Sequence, residues 1–114
     1  MDELIAKIAA DTGVEPAVAH EAVAIIVNFL AREGPADRVQ ALIDKLPGAR
    51  ELAGEAAGGS AGIMGVFNDL TGAGLGLGGI QQVTRDFVAY ARGQVGDQEV
   101  DAVINAIPGL GQFV

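Results

Sequence analysis

The chain has no cysteine. That excludes a disulfide framework, a thiolate metal site and a thiol nucleophile together. Tryptophan is absent too, and only four Phe and one Tyr supply aromatic surface. Half of the residues are nonetheless hydrophobic, so a core must be assembled from Ala, Val, Leu and Ile packed at short range. Small side chains of this kind favour helices, because Ala has the best intrinsic propensity and little entropy to lose. Positive charge is scarce: Lys plus Arg number 7 against 15 Asp plus Glu, for a formal charge of −8. Such a surface repels phosphate backbones and anionic head groups, and nucleic acid is not an expected partner.

Long apolar runs are also missing. The strongest, Ala22 to Val27, stops at Asn28, far short of the roughly 20 residues that span a bilayer. The opening Met1-Asp2-Glu3-Leu4 is acidic, where a secretory signal is basic. The expectation is no membrane span and a cytoplasmic location.

Chemistry-bearing groups are few. His20 is the single histidine, so a multi-histidine metal centre is excluded and a Ser-His-Asp arrangement would depend on it alone. It reads as a helix residue among alanines, with Glu21 on a different face. Gly74-Leu75-Gly76-Leu77-Gly78-Gly79 contains a Gly-x-Gly-x-x-Gly spacing, but that motif needs a preceding strand and a βαβ unit. Neither can be read here, and the run is expected to be a structural loop. Asp97-Gln98-Glu99-Val100-Asp101 resembles the start of a calcium loop, which needs Gly at its sixth position and Glu at its twelfth. Ala102 and Pro108 stand there instead, and a helix start capped by Asp97 is the expectation. Asp37 and Asp44 fall two turns apart on one expected solvated face. No catalytic, cofactor-binding or metal-binding residue is assigned, no cofactor is expected, and the chain reads as no enzyme.

What is present is a repeat. Shifted by sixty-one positions, Val39-Gln40-Ala41-Leu42-Ile43-Asp44-Lys45-Leu46-Pro47-Gly48 lies over Val100-Asp101-Ala102-Val103-Ile104-Asn105-Ala106-Ile107-Pro108-Gly109. Upstream the shift becomes sixty: Val23, Val27, Leu30 and Ala31-Arg32 meet Val83, Phe87, Tyr90 and Ala91-Arg92. One further single-residue change of register brings Thr12-Gly13 onto Thr71-Gly72. The expected fold is all-α: one domain over 1–114, a compact six- to seven-helix bundle of two pseudo-symmetric three-helix repeats. The first repeat covers 1–53, a glycine-rich join 54–62, and the second repeat 63–114.

In the first repeat, Leu4, Ile5 and Ile8 form one stripe over Glu3 to Asp11, and Gly13 supplies the left-handed terminator. Pro16 suits the first turn of a second helix running to about Glu33. Val39, Leu42, Ile43 and Leu46 give a third helix its i, i+3, i+4, i+7 face, followed by Ala49 and Leu52 as an apolar tail. In the second repeat, Val100, Val103, Ile104 and Ile107 are the matching face, with Leu110 and Phe113 as the matching tail. Residues 54 to 79 hold ten of the seventeen glycines. Gly54 to Ser60 reads as a joint. Ile63 to Leu70 reads as a helix carrying Gly62 and Gly65, which suits close approach of a neighbouring backbone.

The second helix is apolar nearly all round, which marks a helix that is central or covered by another molecule. Beyond the shared face, it carries Val18, Ala22, Ile25, Ile26 and Phe29, where the second copy has Arg85 and Asp86 opposite Ile25 and Ile26. Val18, Ala22, Ile25, Ile26 and Phe29 are therefore the candidate partner surface. Read within one chain, the same pattern makes this helix the hub and its counterpart a rim element; read between chains, it makes these residues a dimer or partner interface. The function expected is an interaction or scaffold module, self-associating (a homodimer) or bound to a protein partner. The alternative is a carrier of a small apolar ligand or lipid in a cavity between helices.

Two family resemblances accompany this reading. Glu3-Leu4-Ile5-Ala6-Lys7-Ile8-Ala9, Gly13, Ala19, Ala22 and Val23 resemble the opening helices of the HU/IHF histone-like proteins, over about the first quarter of the chain. The β-arms, the Gly-Phe-Gly-type turn and the basic tip of that family are missing, so DNA bending is not carried over. Ile8-Ala9, Thr12-Gly13, Ala19, Ala22, Leu46-Pro47 and Ile107-Pro108 resemble an uncharacterised bacterial family of duplicated helical units ending in Leu-Pro. That resemblance spans most of the chain and implies an α-helical fold with no established activity.

Overall fold

The computed structural model describes residues 2–34, 36–46, 48–55 and 62–107. Most of the expected joint, the prolines at 35, 47 and 108, and the tail with Leu110 and Phe113 lie outside them. The described residues form seven α-helices and no strand: α1 (Asp2–Thr12), α2 (Pro16–Glu33), α3 (Ala36–Lys45), α4 (Ala49–Glu55), α5 (Gly62–Gly72), α6 (Leu77–Val95) and α7 (Asp97–Ala106). The fold is an all-α bundle, and no single described helix is long and apolar enough to cross a membrane.

Local chemistry explains the boundaries. Leu4 and Ile8, one turn apart, are the buried stripe of α1. The helix stops at Gly13, whose φ of +77° is left-handed and whose N–H bonds Ala9 O at 2.9 Å. Pro16 then opens α2 where its missing N–H costs nothing. The Ala49 and Leu52 segment, expected as a tail, is instead a helix of its own, α4, with both side chains buried. Gly62 to Gly72 is helical as expected, and Gly65 is buried within it.

Packing is organised around two long helices. Ala19, Ala22, Val23, Ala24, Val27, Phe29 and Leu30 of α2 are all buried, and α2 packs against α1, α3, α4, α5 and α6. The buried alanines Ala19, Ala22 and Ala24 let neighbours approach closely, which is how so few aromatics suffice. The rim role considered for α6 is not what the structure has. Ile80, Val83, Asp86, Phe87 and Ala91 are buried there, because α1, α2, α3, α5 and α7 all pack on it. Two members of the expected shared face also differ: Ala31 is exposed and Tyr90 half-buried, while Val23, Val27, Leu30, Val83, Phe87 and Ala91 are buried. Helices of the two halves interleave, with α1 on α6, α5 on α2, and α3 on α7.

Candidate functional site

The five residues proposed as a partner surface divide. Ala22 and Phe29 are buried inside the chain, covered by neighbouring helices rather than awaiting a partner. Val18, Ile25 and Ile26 are half-buried and pack against the same core. The greasy character of α2 is thus largely satisfied within the chain.

Ile26 and Phe29 nevertheless lead to an apolar space between the described helices. With Leu30 they form one wall of an apolar cavity of about 70 Å³. Val66, Phe67 and Leu70 of α5 face them, α6 contributes Ile80, Thr84, Phe87, Val88 and Ala91, and Leu42 of α3 with Val100, Val103 and Ile104 of α7 completes the lining. Ile26, Phe67, Thr84 and Val88 are the half-buried members, so the cavity meets solvent on their side. Helical spacing places them: Ile80, Thr84, Phe87, Val88 and Ala91 recur at i, i+4, i+7, i+8 and i+11 along one stripe of α6.

No lining side chain carries a charge. The single hydroxyl, Thr84 Oγ1, already donates to Ile80 O at 2.9 Å. A water needs two to four polar partners to be held inside a protein, and this lining offers almost none. Left empty, a void of this size costs on the order of 2 kcal/mol. The site is chemically suited to hydrocarbon.

The remaining sequence candidates do not converge. His20 is exposed and lies in a shallow, open groove with Asp2, Ile5, Ala6, Pro16 and Ala17. Asp37 and Asp44 are both exposed, and Asp44 pairs with Arg50. The glycine run is preceded by helix α5, not a strand, and Gly76 is the residue before α6. Asp97 is not the cap of α7; that position belongs to Gly96, with φ +97° and no side-chain cap. Asp97 and Asp101 instead receive Arg92 at 3.5 and 2.7 Å, tying the end of α6 to the start of α7. Those carboxylates, together with burial, act on Arg92, and its hydrogen bond to Asp101 foremost holds the guanidinium above its usual value. Among the described residues no group of three or more His, Asp or Glu could hold a metal ion.

One buried polar group escaped the sequence reading. Asp86, placed opposite Ile26 in the repeat alignment, is 4% exposed. Its Oδ1 accepts from Gln82 Nε2 at 2.9 Å, while Oδ2 is buried with no hydrogen-bond partner. Burial first, then a side-chain hydrogen bond with Asp11, pushes this carboxyl above its ordinary value, against the opposing pull of Gln82. Tyr90, one turn further along α6, is also raised, by burial and by Glu3 and Asp2 of α1. Charge in a chain this acidic gave no sign that one aspartate would be taken inside.

Compared with known proteins, the chain matches no family model, no curated protein and no solved structure.

Proposed function

We propose that this chain is a non-enzymatic binding module whose site is the apolar cavity between α2, α5, α6 and α7, and whose ligand is a small hydrocarbon-like group. The observation that carries this reading is the lining: uncharged throughout, with its one hydroxyl internally bonded. Such a space excludes water and ions and accepts an alkyl chain or small ring. Native mass spectrometry of freshly purified chain should reveal a copurifying apolar mass. Benzene titrated into the stripped protein should shift the methyl signals of Leu42, Leu70 and Ile104 saturably. Ala91→Leu, which grows a side chain into the cavity, should abolish both effects while leaving the helical circular dichroism intact. Unsaturable shifts that persist unchanged in Ala91→Leu would remove the basis of this reading.

A second reading, self-association or protein docking, has its own observation. Among the described residues, Met64 and Leu77, at 68% and 67% exposure, are the large hydrophobics left in solvent. Light scattering on size-exclusion chromatography measures it directly. A wild-type dimer that becomes monomeric in Met64→Gln/Leu77→Gln supports this second reading, and a strict monomer at high concentration removes it.

The duplication is also part of the proposal. The series α1, α2, α3 has 11, 18 and 10 residues, and α5, α6, α7 has 11, 19 and 10. Exchanging the two series maps the α1–α6 contact onto α5–α2. It also maps α1–α2 onto α5–α6, and α2–α3 onto α6–α7. These correspondences support an ancestral unit copied once, with its helices exchanged between copies.

A further inference from the structure

We infer that Asp86 and Asp11 share one proton across the seam between α1 and α6, making that seam a contact that tightens in acid and loosens as the medium becomes alkaline. Asp86 lies in the interior face of α6, 4% exposed, and its side chain meets that of Asp11 at the end of α1. Two ionised carboxylates have no donor between them, which leaves Asp86 Oδ2 buried and unpartnered. A proton on one of them supplies the missing donor and removes one of two like charges. The arrangement selects which one carries it. Asp11 is on the solvent side, ion-paired to Lys7 Nζ at 3.4 Å. Asp86 is the desolvated partner, so its protonated carboxyl donates and the Asp11 carboxylate accepts.

The groups bearing on Asp86 are Gln82 on its own helix and Asp11 and Lys7 on α1. Among the described residues, α2, α3, α5 and α7, which also pack on α6, present no charge to it. The repeat alignment adds an independent argument. Asp86 aligns with Ile26, and Asp11, just before Thr12-Gly13, aligns with Leu70, just before Thr71-Gly72. Ile26 and Leu70 line the cavity at the corresponding α2–α5 seam. Hydrocarbon therefore serves this seam in one copy, and packing alone does not call for two acids in the other.

The direction of the effect follows from linkage. Asp86 is raised in the folded chain, so folding retains a proton that the unfolded chain releases earlier. The stabilisation is complete in acid and is lost as pH rises from the ordinary carboxylate range through the folded value of Asp86.

Carbon-13 NMR of the side-chain carboxyls in the intact wild-type chain tests the proton directly. Asp86 should titrate well above the exposed aspartates, and a titration among them would overturn the inference. Denaturant unfolding against pH tests the consequence. Relative to Asp86→Asn, the wild-type unfolding constant should rise by up to about tenfold per pH unit within that window. Parallel pH profiles would refute it. Should Asp86→Asn fail to fold, Asp11→Leu/Asp86→Ile, which copies the hydrocarbon seam, serves as the pH-insensitive reference. The proposal stands or falls independently of what occupies the cavity.

Discussion

At the scale of single residues, Gly34 is the position where a hydrogen matters most. A Cβ there would stand 2.4 Å from Val39 Cγ2 and 2.9 Å from Leu30 O. The valine methyl can rotate away, but the carbonyl belongs to the last turn of α2 and receives the Gly34 N–H at 2.9 Å. Gly34→Ala should therefore destabilise the chain by about 1–3 kcal/mol, read as a lowered urea midpoint with an unchanged slope. Gly76, Gly78 and Gly93, around which an added Cβ meets nothing within 4 Å, should tolerate alanine. The sequence placed the end of α2 at about Glu33, since Gly34 followed by Pro35 disfavours its continuation. It could not show the crowding, which depends on where α3 returns.

Elements were more legible than their surroundings. Apolar spacing of 3.6 residues gave α1, α2, α3, α5 and α7, since a helix buries one stripe whatever lies opposite, while α6 came from its alignment with α2. The seven-residue α4 was missed because it is shorter than two turns of clear periodicity, and its identity as a helix comes from docking on α2. The cavity was half-legible: Ile26 and Phe29 stood out as excess grease, but the walls from α5, α6 and α7 are brought to them by tertiary packing. The same excess fits either a hub within the chain or a face covered by a partner, and burial of Ala22 and Phe29 favours the hub. Ala22 is fully buried within the chain. Ala22→Leu should cost the isolated chain about 1–3 kcal/mol by overpacking. An unchanged thermal midpoint for this variant would mean that Ala22 faces outward after all.

At the scale of the whole molecule, neither half encloses its own core. Leu4 and Ile8 of α1 are buried on a helix that packs on α6 as well as α2, while Val66 and Leu70 of α5 are buried on a helix that packs on α2 as well as α6. A peptide of residues 1–55 and another of 56–114 should each lack cooperative unfolding alone. Mixed in equal amounts, they should regain helical circular dichroism and a single transition. A first half that folds cooperatively by itself would contradict the interleaved packing. This dependence was not readable from the expected repeat, because two such units could equally be self-contained and lie side by side.

The packing of α1 on α6 has a consequence for synthesis. The α1 segment leaves the ribosome long before α6, the surface on which it rests, has been made. Until translation passes Val95, Leu4 and Ile8 have only part of their eventual shelter, and the emerging chain carries uncovered apolar surface on α1. Final seating of α1 therefore waits until α6 has emerged to receive it.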